Sequence, residues 1–191
     1  MGRSKGQPRT QPERVPAPPA RVRAQHASPI LPRTWRGVEY RPLPTGSPDA
    51  RRLFSYAAAW APPPGPGELA WGAWVKEEPE RMVGALLVEP SSPAGMIYGP
   101  VVVESEDPLE VAAQLVASAL PDATAAGLET LFVRPQGLDR VWVRFGFIPV
   151  PEADLPLPLR GRPGSGLFAW RGGSALWSSR RTDTFESDRL R

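Results

Sequence analysis

Four acidic side chains lie close together in this sequence, at Glu104, Glu106, Asp107 and Glu110. Clustered carboxylates can bind a hard cation, and a single one can take a proton from an amine. The same acids also suit the start of a helix, because they stabilise its positive end. We expect helix capping to account for Asp107 and Glu110. Glu104 then stays as a candidate catalytic base, and no metal site is predicted.

Tyr98 is the second candidate catalytic side chain, because a phenol can protonate a leaving group. A tyrosine at such a position also commonly bridges the core and the surface. The chain contains no cysteine and a single histidine, His26. This composition excludes disulfides, thiolate nucleophiles, Ser-His-Asp triads and metal sites built from His and Cys.

The stretch 82–150 must position both candidates, and its pattern combines strands with helices. Two apolar segments rich in β-branched residues, 82–89 and 96–103, are separated by turn residues and predict antiparallel strands. Asp107-Pro108-Leu109-Glu110 is a strong helix start, and Pro121 is expected to kink or end that helix. The stretch is completed by a strand at 130–133, a short helix with Leu138, Val141, Trp142 and Phe145 on one face, and a strand at 147–150.

The flanking segments add further strands. Alternating residues predict strands at 38–43 and 68–75, and Ser47 caps a helix expected to reach about Trp60. Beyond residue 150, prolines restrict 155–159 to an edge strand, and 167–170 predicts a last strand. The predicted fold class is therefore α+β, with a mixed, mostly antiparallel sheet flanked by helices.

Composition divides the 191-residue chain into an arm, a domain and a tail. Residues 1–36 carry eight Lys or Arg side chains against one acid, together with seven prolines. Such a segment cannot bury enough apolar surface to fold, so we expect a disordered basic arm. It either contacts an anionic partner such as nucleic acid or is only a solvated extension. The domain is expected at 37–171, followed by a frayed tail at 172–191.

The sequence offers no membrane segment. No apolar run approaches the ~20 residues that span a bilayer, and the N-terminus lacks the apolar core of a signal peptide. We therefore expect a cytoplasmic protein with no membrane partner.

Two local segments carry a family resemblance. Residues 141–147 read Val-Trp-Val-Arg-Phe-Gly-Phe, and Gly99-Pro100 interrupts an otherwise continuous strand, which favours a bulge. With the order of elements over 38–170, these segments resemble the GNAT acyltransferase superfamily, which has an aliphatic-Tyr-Glu-Lys-x-Gly-Phe segment after its fifth strand. In that family such a bulge splays two parallel strands to admit pantetheine. An edge irregularity without a ligand would give the same pattern.

Three positions depart from the family pattern. Family members hold a pyrophosphate in an Arg/Gln-x-x-Gly-x-Gly/Ala loop, where this chain has residues 104–109 with three acids, no glycine and a proline. The tyrosine that often protonates the leaving thiolate is replaced by Trp142, which we assign to the core. The asparagine common near the end of the fifth strand is replaced by Pro135, beside Gln136. We therefore predict weak binding of acetyl-CoA.

The resemblance implies transfer of an acyl group from acetyl-CoA to an amine on a small molecule or a peptide. In that chemistry a backbone amide near Val101, Val102 or Val103 would polarise the thioester carbonyl, and Gln136 would contact the co-substrate. The alternative is a non-catalytic binding module that has lost the cofactor. A third possibility is a transferase related to the Fem-type aminoacyl transferases, which use a donor without a pyrophosphate loop, although this chain has only one such domain.

Overall fold

A computed structural model describes residues 33–162 and 176–180, except for the side chain of Arg180. This part of the chain contains eight strands and three α-helices. In chain order they are β1 (Arg33–Trp35), β2 (Val38–Leu43), α1 (Pro48–Tyr56), β3 (Leu69–Val75), β4 (Glu78–Ser91), β5 (Ala94–Val102), α2 (Pro108–Ala125), β6 (Thr130–Val133), α3 (Asp139–Arg144), β7 (Ile148–Val150) and β8 (Leu176–Arg180).

All eight strands form one sheet, in the order β1-β2-β3-β4-β5-β6-β8-β7. The pair β5–β6 is parallel, with Ala94 opposite Thr130 and Ile97 opposite Val133. Every other neighbouring pair is antiparallel. The expected α+β class with a mixed, mostly antiparallel sheet is confirmed.

The sheet separates two apolar clusters, because successive side chains of a strand point to opposite faces. On β4, Leu86 packs in the cluster that includes Leu115 of α2 and Trp142 of α3. Its neighbour Leu87 packs in the other cluster, with Phe54 of α1. The core therefore lies in two layers, one on each face of the sheet.

Helix α2 begins as its sequence predicts. Asp107 is the N-cap, its Oδ1 accepts the Glu110 N–H at 3.2 Å, and Pro108 occupies the first helical position. The helix does not end at Pro121 but continues to Ala125. Pro121 lies inside the helix on its exposed side.

The Gly99-Pro100 step forms the expected bulge. Leu87 lies opposite Tyr98 and Ala85 lies opposite Val101, so β5 uses one residue more than β4 over this span. Gly99 has φ +83°, and a Cβ at this position would lie 2.8 Å from the Val101 nitrogen. Glycine is therefore required here.

The prediction of an edge strand at 155–159 is wrong. The segment after β7 forms two 3-10 turns, Glu152–Asp154 and Leu157–Leu159, from which Leu155 and Leu159 enter the core. Proline at 156 and 158 removes two N–H donors that a strand would need. Helix α1 also ends earlier than expected, at Tyr56 rather than near Trp60.

The expected boundaries of the domain need correction at both ends. Arg33–Trp35 pairs with β2, so part of the predicted arm 1–36 is strand, and the remainder of that prediction lies outside the described residues. Residues 176–180 of the predicted frayed tail 172–191 form β8, which pairs with both β6 and β7. Leu176 is fully buried, which explains why this segment is held in the sheet. The strand predicted at 167–170 lies outside the described residues.

Candidate functional site

The two central parallel strands pair over only four residues. β6 ends at Val133, opposite Ile97, whereas β5 continues to Val102. The edge of β5 from Tyr98 to Val102 therefore has no pairing with β6. We call the space beside this edge the gap.

The backbone amide of Val102 points into the gap. The Val103 N–H donates to the Val83 carbonyl at 2.9 Å, so Val103 and Val83 form a hydrogen-bonded pair of the β4–β5 ladder. Such pairs alternate with non-hydrogen-bonded pairs along an antiparallel ladder. Val101 therefore directs its amide to β4, and Val102, opposite Gly84, directs its amide away from β4. Among the three predicted valines, Val102 is the one whose N–H is available to a ligand in the gap.

A small pocket opens at the start of the gap. Its volume of about 20 Å³ is enough for one water molecule. Its walls bring the predicted residues Tyr98 and Gln136 together, and the ring of Trp60 lies 5.2 Å from the ring of Tyr98. The other lining residues are Phe54, Ala59, Met96, Ile97, Gly99 and Arg134.

Tyr98 has a specific polar partner. Its hydroxyl donates to Oε2 of Glu89 at 2.6 Å, and Arg162 forms an ion pair with the same carboxylate. Burial raises the pKa of Tyr98, and the hydrogen bond to Glu89 raises that pKa further. As an acid, Tyr98 is therefore weaker than an ordinary tyrosine. The sequence reading missed Glu89 and Arg162, although an acid ending the apolar run 82–88 was a signal for the first.

Arg134 is another side chain of the pocket that the sequence did not indicate. It follows β6 directly, lines the pocket, and is only 5% exposed. Its guanidinium binds Glu152 through two hydrogen bonds of 2.7 and 3.1 Å. This pair fixes the end of β6 against the turn after β7. No motif marks Arg134 in the sequence, because its burial depends on the fold.

Glu104 does not lie with Tyr98. It lines a different pocket, of about 450 Å³, between the β1–β2 turn and the start of α2. Its side chain is exposed and lies 3.7 Å from Arg81, and its φ is +48°. The structure therefore places the two candidate catalytic side chains in separate pockets.

The remaining acids of the cluster are engaged in the first turn of α2. Asp107 caps the helix as expected. Glu110 accepts hydrogen bonds from Gln114 at 2.8 Å and from Arg144 at 2.9 Å, and these bonds lower its pKa. Within residues 33–162 and 176–180, no three His, Cys, Asp or Glu side chains are arranged to hold a metal ion.

Trp142 belongs to the core, as predicted. It is fully buried, its ring packs edge-to-face on Phe147, and its Nε1–H donates to the Pro135 carbonyl at 3.4 Å. In the described part of the chain, no helix is both long enough and apolar enough to cross a membrane.

Comparison with solved structures decides the fold. A GNAT-family acetyltransferase from Staphylococcus aureus Mu50 aligns with a TM-score of 0.52 over 74% of this chain and 98% of its own, at 8% identity. An acetyltransferase from Streptococcus agalactiae aligns with a TM-score of 0.52 over 76% of this chain and 99% of its own, at 10% identity. The chain has the GNAT fold.

A third GNAT-fold neighbour is a larger protein. N-acetylglutamate synthase from Neisseria gonorrhoeae, solved with coenzyme A and N-acetyl-glutamate, has a TM-score of 0.52 and 15% identity. The match covers 74% of this chain but only 35% of the synthase. No family model matches this chain, and no curated protein matches it. At these identities the likeness establishes the fold and not the activity.

Proposed function

We propose that the protein transfers an acyl group from a thioester to an amine. The observation that carries the proposal is the unpaired edge of β5, which directs the Val102 N–H into the gap. A fixed donor of this kind stabilises the negative charge that develops on a carbonyl oxygen during acyl transfer. The GNAT-fold neighbours, named as acetyltransferases, support the same reaction class.

The residues around the gap position the reactants rather than move protons. The Val102 amide would hold the carbonyl oxygen, and Phe54, Met96 and Trp60 would form apolar walls of the pocket at the start of the gap. Positioning alone can supply a large part of the rate. Tyr98 has a raised pKa and its hydroxyl proton is donated to Glu89, so it would form part of the pocket wall and would not supply a proton. The thioester would supply the activated carbonyl and the thiolate leaving group.

Acetyl-CoA fits this site at one end and not at the other. The gap carries the Val102 donor, which suits the thioester carbonyl at the acyl-pantetheine end. The start of α2 does not suit the diphosphate, because Pro108 has no N–H and the Glu110 N–H is bonded to Asp107. We therefore propose acetyl-CoA only as a weak donor, with a dissociation constant worse than ~100 μM, which corresponds to a binding free energy no better than about −5.5 kcal/mol.

The acceptor is proposed to be an amine on a small molecule or a peptide. The pocket beside Tyr98 has room for one water, so an acceptor would have to displace the partly exposed Trp60 ring. The N-acetyl-glutamate found with the Neisseria synthase is an acylated amino acid, which supports a small-molecule acceptor.

A non-catalytic binding module is the second candidate. The buried Trp142 favours it, since an indole in the core offers no proton where GNAT enzymes often have a tyrosine. The two candidates differ in one respect that can be measured. Only the transferase releases a thiol from a thioester in the presence of an amine.

The test measures thiol release and removes the proposed amide. Because the protein has no cysteine, a thiol reagent reports only on the released thiol. Val102→Pro deletes the N–H in the gap but no β4 ladder bond, and Val102→Ala keeps the N–H. We expect Val102→Pro to lose about 100-fold or more in rate and Val102→Ala to stay near the parent. Equal rates for a correctly folded Val102→Pro and the parent would refute the role of this amide.

A further inference from the structure

Two of the backbone donors at the start of α2 are used by the chain itself. The Asp107 N–H donates to the Ser105 hydroxyl at 3.3 Å, and the Glu110 N–H donates to Asp107 at 3.2 Å. Pro108, between them, has no N–H. An anion arriving here would have to displace these internal acceptors.

The charge around this helix start is negative. The pocket of about 450 Å³ beside it is lined by Glu77, Glu104, Glu106 and Asp107, against two arginines, Arg36 and Arg81. Arg81 is shared between Glu78 at 3.3 Å and Glu104 at 3.7 Å. Within the described residues, Glu106 and Asp107 form no ion pair with a basic side chain. A diphosphate at this position would therefore meet carboxylates without enough cations to balance them.

The composition of the loop also disfavours binding of a phosphate by backbone amides. Residues 104–109 contain no glycine, and Glu104 already takes the left-handed conformation at φ +48°. A run of backbone N–H groups around a phosphate normally relies on glycines, because a Cβ blocks the close approach.

We propose that the acyl donor of this protein is a short S-acyl thiol without a diphosphate, such as an S-acyl pantetheine arm. This inference rests on the proposed acyl transfer. The acyl carbon would leave the sulfur and bond to the amine nitrogen, and the proton of that nitrogen would pass to the thiolate. The gap holds the thioester, while the acids at the start of α2 discriminate against donors that carry two phosphates there.

Binding of two donors to the full chain tests the proposal. Isothermal titration should give acetyl-pantetheine an affinity equal to or better than that of acetyl-CoA. Raising the salt should strengthen acetyl-CoA binding, because screening weakens the repulsion, and should leave acetyl-pantetheine unchanged. Acetyl-CoA binding more than about tenfold tighter than acetyl-pantetheine, or weakening with salt, would overturn the proposal.

Two matched charge reversals test whether the repulsion of the diphosphate comes from the loop at residues 104–109. Glu106 is an exposed acid in the loop, and Glu129 is an exposed acid before β6. Glu106→Lys should tighten acetyl-CoA about fivefold or more and leave acetyl-pantetheine unchanged, whereas Glu129→Lys should change neither. Equal effects of the two substitutions would overturn a local role for the loop.

The outcomes separate this inference from the proposed function. If acetyl-CoA is the better donor and thiol is released, the donor class is wrong and acyl transfer stands. If neither donor binds a correctly folded chain, both the transfer and the donor class are wrong, and the non-catalytic module takes their place.

Discussion

The three tyrosines of the chain provide a matched series, because each has a different environment. Tyr40 is 0% exposed on the α2 face of the sheet, and its hydroxyl has no hydrogen-bond partner among the described residues. Tyr98 is 7% exposed on the other face and donates to Glu89. Tyr56 is 71% exposed at the end of α1. Replacement of each by phenylalanine removes one hydroxyl.

The expected changes in unfolding free energy have opposite signs. An unpaired buried polar group costs about 1 to 3 kcal/mol, so Tyr40→Phe should stabilise the protein by about 1 kcal/mol or more. Hydrogen bonds to charged groups contribute about 1.5 to 3 kcal/mol, so Tyr98→Phe should destabilise the protein by about 2 kcal/mol. Tyr56→Phe should change the stability by less than about 0.5 kcal/mol.

Alkaline pH enlarges the effect at Tyr40. Burial, and to a smaller extent the charge of Glu110, raises the pKa of Tyr40 from 10.0 to about 12. Between these values the unfolded chain has lost the phenolic proton and the folded chain has kept it, so stability falls as the pH rises. A shift of this size corresponds to about 2 to 3 kcal/mol, which Tyr40→Phe should remove.

Urea denaturation at pH 7 and at pH 11.5 measures both effects. The stabilisation by Tyr40→Phe should grow between the two pH values, relative to Tyr56→Phe. A destabilised Tyr40→Phe at pH 7 would show that its hydroxyl has a partner. A Tyr98→Phe variant as stable as the parent would show that the bond to Glu89 contributes nothing.

Four further predictions concern the core and the chain ends. Trp142→Ala should lower the free energy of unfolding by about 3 to 5 kcal/mol in urea denaturation, because the ring is fully buried. Leu176→Ala should lower it by about 2 to 5 kcal/mol, and no effect would mean that β8 does not form in solution. Gly99→Ala should destabilise the bulge by at least ~1 kcal/mol and reduce thiol release, since a Cβ there contacts the Val101 nitrogen. Removal of residues 1–32 should shift Tm by no more than a few degrees, and a larger calorimetric shift would show that the basic arm packs on the domain.

The sequence could predict features that are encoded locally. The Asp107-Pro108 start of α2 depends on neighbouring residues alone, and it was found where expected. The bulge at Gly99 was predictable because proline removes a ladder donor within the same strand. The core position of Trp142 followed from its place on the apolar stripe of α3.

Features that depend on distant contacts were not predictable. β8 contains two serines and only one fully buried leucine. It forms because it can pair with β6 along one edge and with β7 along the other. Arg162 pairs with Glu89 across 73 residues of sequence. Nothing in either local segment indicates the other. The candidate site was therefore predicted in its backbone and only partly in its side chains.

The positive end of α2 can stabilise one anion, and in this protein that anion is the carboxylate of Asp107. An N-cap such as Asp107 contributes about 1 kcal/mol to stability, and it does so by occupying an amide that a bound phosphate would need. A glycine-rich loop leaves such amides open, so that ligand binding completes the helix end. Here the carboxylate of Asp107 occupies one of these amides without a ligand. The Asp107 cap therefore stabilises α2 and weakens the binding of a diphosphate at this position. A substitution at Asp107 that removes the cap should lower the stability of the protein and raise its affinity for a diphosphate.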